Sequence, residues 1–165
     1  MIDLSSFRKN ASERGICSEK ASIWDKCTNK KDLMDLALSA QGMDYICDSI
    51  AKGWGISPSY IAERFKGFNN GRYVYYSPTG YKTAMYCGYR GMFLCELTAL
   101  MVIDSEMDIT IPDYHICEIY AVGNTHLRLH GKGRCRVLVY GDDDSVKIDA
   151  DSSVVFTRKQ KRDRD

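Results

Sequence analysis

Beyond about residue 97, apolar residues recur as pairs separated by one position: Leu100/Val102, Ile109/Ile111, Cys117/Ile119, Leu127/Leu129, Val137/Val139, Val146/Ile148 and Val154/Phe156. Their first members stand 9, 8, 10, 10, 9 and 8 residues apart. Residues i and i+2 of a strand share a face, so each pair sends two side chains inward and its middle residue outward. Thr110, Glu118, Arg128 and Lys147 are such middle residues and suit water. The spacers NT, GKGR, GDDDS and DADSS hold turn formers and leave no room for helices. Seven short strands at so constant a period predict a parallel β-solenoid, whose rungs need only two inward residues each. An antiparallel sandwich or meander prefers longer strands and more varied loops, and is the alternative. Two or three strands per coil both fit.

Upstream the period changes to that of helices. Ser18 opens SEKASIWDKC, with Ala21, Ile23, Trp24 and Cys27 on one side. A second helix is predicted after Asn29, with Leu33, Leu36, Ala37 and Ala40 on one face and an interruption at Gly42. A third carries Met43, Ile46, Cys47, Ile50 and Ala51 and stops at Gly53 or Gly55. Ser57 followed by Pro58 starts a fourth, since serine accepts from free amides and proline suits the first turn. The stretch TAMYCGYRGMFLCELTALM reads either as further rungs, with Ala84, Tyr86 and Gly88 inward, or as a buried helix around residues 93 to 101; strands are expected before residue 91.

The expected fold is therefore α+β: a cap of about four helices over the end of a short parallel β-solenoid. The expected divisions are a polar arm at 1–17, the helical cap at 18–72, the solenoid at 73–157 and a basic flexible tail at 158–165.

Composition narrows the functional classes. The chain has 165 residues, with 44% hydrophobic and 27% charged residues and only three prolines, as in a protein that buries a core. Its 23 Lys and Arg against 22 Asp and Glu give a net charge of +1, too small a field to draw the whole molecule onto nucleic acid or a membrane. The N-terminus lacks the apolar centre of a signal peptide, and no window approaches the roughly 18 apolar residues of a membrane span. A cytoplasmic protein with no membrane contact is expected. Seven cysteines, none at Cys-x-x-Cys spacing, read as free thiols that mostly pack as small hydrophobes.

The segments KKDLMDLALSAQGMDYICDSI, HLRLHGKGRC and RVLVYGDDDSVKID resemble a loose group of uncharacterised proteins from gut bacteria and their phages or mobile elements, over about residues 30 to 156. The resemblance implies a helical segment followed by β-rungs and a mobile-element setting. It brings no activity, catalytic residue or cofactor.

Candidate chemistry is sparse. Tyr73, Tyr75, Tyr76, Tyr81, Tyr86 and Tyr89 crowd 17 residues, with Arg72 and Arg90 beside them. That composition is typical of interface hot spots, so Arg72, Tyr73, Tyr75, Tyr76, Tyr81, Tyr89 and Arg90 are the expected partner-binding residues. ISPSYIAERFKG resembles the second helix of the DNA-binding domains of AraC-type regulators. A helix-turn-helix-like segment at 42–66 with Ser57, Ser59, Tyr60, Arg64 and Lys66 on DNA is the alternative. Against it, residues 30 to 72 carry six basic and five acidic side chains, a poor phosphate-binding balance. His126 and His130 share an outer strand face with Arg128. A metal there would need ligands such as His115 or Asp142 to Asp144, and an Asp cluster after glycine reads more simply as a solvated turn.

No phosphate loop, nucleophile elbow or zinc-protease helix is present. A Cys and His enzyme is the remaining catalytic alternative. Repetition points instead to an extended rigid binding surface, so the expectation is a non-enzymatic accessory protein without catalytic residues, metal or cofactor. Its expected partner is another protein, with nucleic acid as the second partner class. By analogy with anti-CRISPR proteins, one specific form is an inhibitor of a bacterial defence nuclease.

Overall fold

The computed structural model describes residues 25–54, 56–141 and 144–159, with Glu13 and Ile23. The expected arm at 1–17 and most of the helix expected at 18–27 lie outside the described residues.

The rungs stack as a parallel β-solenoid of about four coils with two strands per coil. One strand of each coil enters a six-stranded sheet: β1 (Tyr75–Tyr76), β2 (Lys82–Cys87), β4 (Ala99–Ile103), β6 (Ile116–Val122), β8 (Cys135–Tyr140) and β10 (Val154–Lys159). The other enters a four-stranded sheet: β3 (Arg90–Leu94), β5 (Glu106–Ile111), β7 (His126–Gly131) and β9 (Lys147–Ala150). All pairings are parallel except β1 on β2, which removes the antiparallel sandwich. The uncertain stretch is strand apart from its corners at 88–89 and 95–98, with no helix at 93–101.

The inward pairs fill the space between the sheets. Leu100, Val102, Ile109, Ile111, Cys117, Ile119, Leu127, Leu129, Val137 and Val139 are fully buried there. In register they form columns such as Gly91, Met107, Leu127 and Ile148. Ala84 and Tyr86 also face this core, as expected. Gly88 does not: it sits exposed in the turn after β2 with φ +65°, a conformation glycine takes without a Cβ penalty.

That turn repeats. Gly88, Asp104 and Gly123 follow β2, β4 and β6, and all have positive φ. A buried hydroxyl ladder ties the turns together: the Tyr89 amide donates to Ser105 Oγ at 3.0 Å, and the Ser105 amide donates to Thr125 Oγ1 at 3.3 Å. Each hydroxyl in turn donates to a carbonyl of its own coil, Ser105 to Ile103 and Thr125 to Val122, both at 2.8 Å. Amides that the strand ladder cannot serve are thereby satisfied inside the molecule.

Three helices occur among the described residues, against about four expected. These are α1 (Lys30–Ala37), α2 (Ala40–Ala51) and α3 (Pro58–Arg64). The side chains of Asn29, Ser39 and Ser57 cap them by accepting from the amides of Asp32, Gly42 and Tyr60. Gly42 does not interrupt a helix. It lies in the first turn of α2, where a Cβ would overlap the Leu36 carbonyl, so glycine lets α2 approach the end of α1.

The helices cover the flank of the solenoid rather than its end. Leu33, Met34, Leu38, Met43, Ile46, Cys47, Ile61 and Phe65 pack on the outer face of the six-stranded sheet, against Met85, Cys87, Ala99, Met101, Ile103, Tyr120 and Val122. This is why β2 and β4 are apolar on both faces, whereas β5 alternates strictly between buried and half-buried residues. The N-terminal end is closed by the chain before β1. Asn69 bridges to Met85, the Gly71 amide donates to the Met85 carbonyl at 3.4 Å, and the Cys87 amide donates to Asn70 Oδ1 at 3.2 Å. At the other end β10 runs through Lys159, so Arg158 and Lys159 belong to the sheet and not to a tail.

Two outcomes test this account. Gly123 has φ +72° and a Cβ there would overlap the Asp104 carboxylate, so Gly123→Ala is expected to cost about 1 to 3 kcal/mol in urea unfolding. Burial, with Tyr89 and Cys95 adding, pushes the Tyr86 phenol up to about 12 from its ordinary 10.0. Its contribution to stability is complete below pH 10 and declines as pH rises through the folded value. Tyr86→Phe should flatten that decline, measured by urea titrations at increasing alkalinity.

Candidate binding face

Among the described residues no helix covers the outer side of the four-stranded sheet, and the parallel register arranges its outward residues in columns. One column is Arg90, Glu106, His126 and Lys147. The next is Met92, Asp108, Arg128 and Asp149, and the third is Leu94, Thr110 and His130. Each strand therefore shows one row. β3 shows an arginine and two apolar residues, β5 is acidic, β7 is basic or titratable, and β9 is mixed.

Opposite charges meet across the rows. Arg128 is ion-paired through Nη2 with Glu106, and its Nε lies 3.7 Å from Asp108 Oδ1. Arg90 Nη1 reaches the other Glu106 oxygen at 3.2 Å. His126 Nε2 is 2.6 Å from Asp149 Oδ2, and His130 lies between Asp108 at 3.7 Å and Asp151 at 3.4 Å. Donation by the Ser153 hydroxyl and amide, with smaller help from His130, holds the Asp151 carboxyl below its ordinary value. Each partner is at least about one-third exposed to solvent, so each pair is worth only about 0 to 1 kcal/mol to folding. The array fixes a charge pattern more than it stabilises the fold.

At the N-terminal margin the face is apolar and protruding. Met92 is 80% exposed and Leu94 47%, beside an Arg90 side chain that is 81% exposed. Tyr89 braces this row, its hydroxyl donating to the Met92 carbonyl at 3.3 Å and its ring meeting Tyr86 edge-on at 5.3 Å.

The seven expected partner-binding residues are not gathered in one place. Tyr89 and Arg90 lie at this margin. Tyr76, 66% exposed, and Tyr81 stand on the β1–β2 hairpin. Tyr75 is half-buried against the helix layer. Tyr73 is a strut: its hydroxyl donates to Asp35 of α1 and its ring meets Phe68 at 5.2 Å. Arg72 donates to the Lys66 carbonyl at 3.4 Å. Six clustered tyrosines thus serve several packing roles, because the chain turns twice between Tyr73 and Tyr89, at 78–80 and at Gly88. The sequence missed Glu106, Asp108 and Asp149. Their alternation with buried residues was visible, but the register that sets them beside Arg128 and His126 was not.

The alternative DNA contacts fall on α3, which has seven residues. Ser59, Arg64 and Lys66 are exposed, Ser57 is used as the cap, and Tyr60 is half-buried along an apolar cavity of about 60 Å³ with Leu33, Tyr45 and Phe65. A larger cleft of about 310 Å³ separates α2 from β6 and β8. Asp44, Asp48, Lys52 and Asp144 rim it, and Tyr120 and Tyr140 stack in its wall at 4.7 Å.

Among the described residues no three His, Cys, Asp or Glu side chains are grouped to hold a metal ion. His115 sits in the turn before β6, and its Nε2 donates to the Leu97 carbonyl in the connection before β4 at 2.7 Å. The Cys95 thiol donates to the same carbonyl at 3.5 Å. Two donors on one acceptor make no nucleophile and base, since neither takes a proton from the other. Among the described residues no helix is long and apolar enough to cross a membrane.

The class that the fold defines is a short parallel β-solenoid with a helical layer along one sheet and a bare, charge-patterned second sheet. No protein-family model, curated protein or solved structure matches the chain.

The array is expected to tolerate loss of its members. Arg128→Ala and Glu106→Ala should each lower stability by no more than about 1 kcal/mol, with a double-mutant coupling of the same size, read from urea midpoints.

Proposed function

We propose that this protein is a non-enzymatic accessory protein that binds another protein through the outer face of its four-stranded sheet. The observation that carries the reading is the β3 margin. Arg90, Met92 and Leu94 project together from a rigid strand and border a dense array of opposite charges. Protein hot spots combine an exposed arginine with apolar anchors in this way, and the charged rows beside them would set orientation and exclude wrong partners.

Charge balance favours protein over nucleic acid. Arg90, Arg128 and Lys147 stand against Glu106, Asp108, Asp149 and Asp151, so phosphates would meet more carboxylates than permanent cations. An inhibitor seated on a bacterial defence nuclease is the narrower form of this proposal, and rests on the sequence resemblance.

A photo-crosslinking amino acid in place of Met92, with one in place of Glu63 on α3 as control, tests the reading in a gut-bacterial lysate. One protein should be captured from position 92 and not from position 63. The double variant Arg90→Glu with Leu94→Asp should reduce binding of that protein by about tenfold or more. Equal capture from both positions, or binding unaffected by the double variant, would show that this face is not the interface. A recovered defence nuclease would support the narrower form, and any other face-dependent protein would replace it.

A further inference from the structure

Six of the seven cysteines lie among the described residues, none in a disulfide, and two of them touch. Cys95 precedes β4 and Cys117 lies in β6, so they occupy the same corner of successive coils, 22 residues apart. Their sulfurs are 3.3 Å apart and both side chains are fully buried. The other buried thiols near the core are committed differently: Cys87 donates to the Pro58 carbonyl at 3.5 Å, and Cys135 to the Ser153 carbonyl at 3.8 Å.

We propose that Cys95 and Cys117 form an oxidation-dependent cross-link that staples the corner between β3 and β4 to strand β6. A disulfide needs sulfurs at about 2.05 Å, a closure of little more than an ångström from the contact already present. The oxidant is a hydroperoxide, small enough to enter when the corner opens locally. The Cys95 sulfur attacks a peroxide oxygen, water leaves and a sulfenic acid forms. The Cys117 sulfur then displaces the second oxygen as water. Two thiols lose two electrons and two protons, and hydrogen peroxide becomes two waters.

The proton distribution suits this order. The hydrogen bond between the two thiols lowers Cys95 against the opposing effect of burial, while the same contact and burial push Cys117 well up. Cys95 is therefore the thiol that ionises and attacks first. The staple is independent of the binding proposal, although it would stiffen the coil that carries Arg90, Met92 and Leu94.

The test treats the whole protein with hydrogen peroxide, alkylates it in denaturant and cleaves after glutamate and after lysine and arginine, since Glu96 and Glu106 separate Cys95 from Cys117 and Arg90 separates Cys95 from Cys87. The expected result is a reducible peptide pair containing Cys95 and Cys117, and a higher urea midpoint for the oxidised protein that returns on reduction. Cys87→Ala and Cys135→Ala should keep the pair, and Cys95→Ala should abolish both it and the midpoint shift. Full alkylation of both thiols after peroxide, a link to any other cysteine, or a link without a midpoint rise would overturn the proposal. The peptide map of the unsubstituted protein decides the first two outcomes even where a variant fails to fold.

Discussion

Every part of this molecule depends on in-register stacking of short strands that cannot bury anything alone. A rung supplies two or three inward side chains, and these become a core only when the next coil places its own directly above them and the opposite sheet closes the far side. Registry is consequently strict, since a slip by one residue would exchange Ile109 and Ile111 with Thr110 across the sheet. The turns inherit the constraint. They must reverse direction within a few residues, which selects left-handed conformations at Gly88, Asp104 and Gly123 and recruits Ser105 and Thr125 to receive stranded amides.

The two sheets meet this requirement differently, and the proposed function rests on the difference. The six-stranded sheet is buried on both sides along β2 and β4 and would expose Met85, Met101 and Ile103 without the helices. The four-stranded sheet alternates, so it is complete with one side wet. Placing all three described helices on one flank frees the other as a broad rigid surface whose side chains are set by strand pairing rather than by loops.

Much of this was legible in the chain. The i, i+2 pairs and their nearly constant spacing identified seven strands from β4 onward and the parallel stacking, because burial of two residues per rung leaves a direct trace in hydrophobicity. The caps at Asn29, Ser39 and Ser57 were local signals of the same kind, although Ser39 was read through rather than as a start. The position of the helix layer was written less openly, in the contrast between ALMVI and EMDITI. That contrast distinguishes a strand covered twice from one covered once, and it was overlooked in favour of an end cap. Gly42 misled because a helix breaker by propensity was serving close approach. The tyrosine cluster misled because composition carries no direction: Tyr73 braces a helix while Tyr76 stands in solvent. The rows of the binding face were half legible, each residue visible as outward, with neighbours fixed only by coil lengths that vary through the β5–β6 and β8–β9 turns.

The ends of the solenoid are unequal. Residues 69–76 seal one edge, whereas among the described residues β10 is the last strand of its sheet and β9 of the other. Among the described residues the stack is sealed on one side alone, so a duplicated coil inserted ahead of β10 would find donors and acceptors already presented, and would lengthen the four-stranded sheet by about 4.8 Å without disturbing the described helices. The architecture therefore allows the reach of the proposed recognition surface to change by gene duplication of a single coil, with the size of the contact set by copy number rather than by redesign of the core.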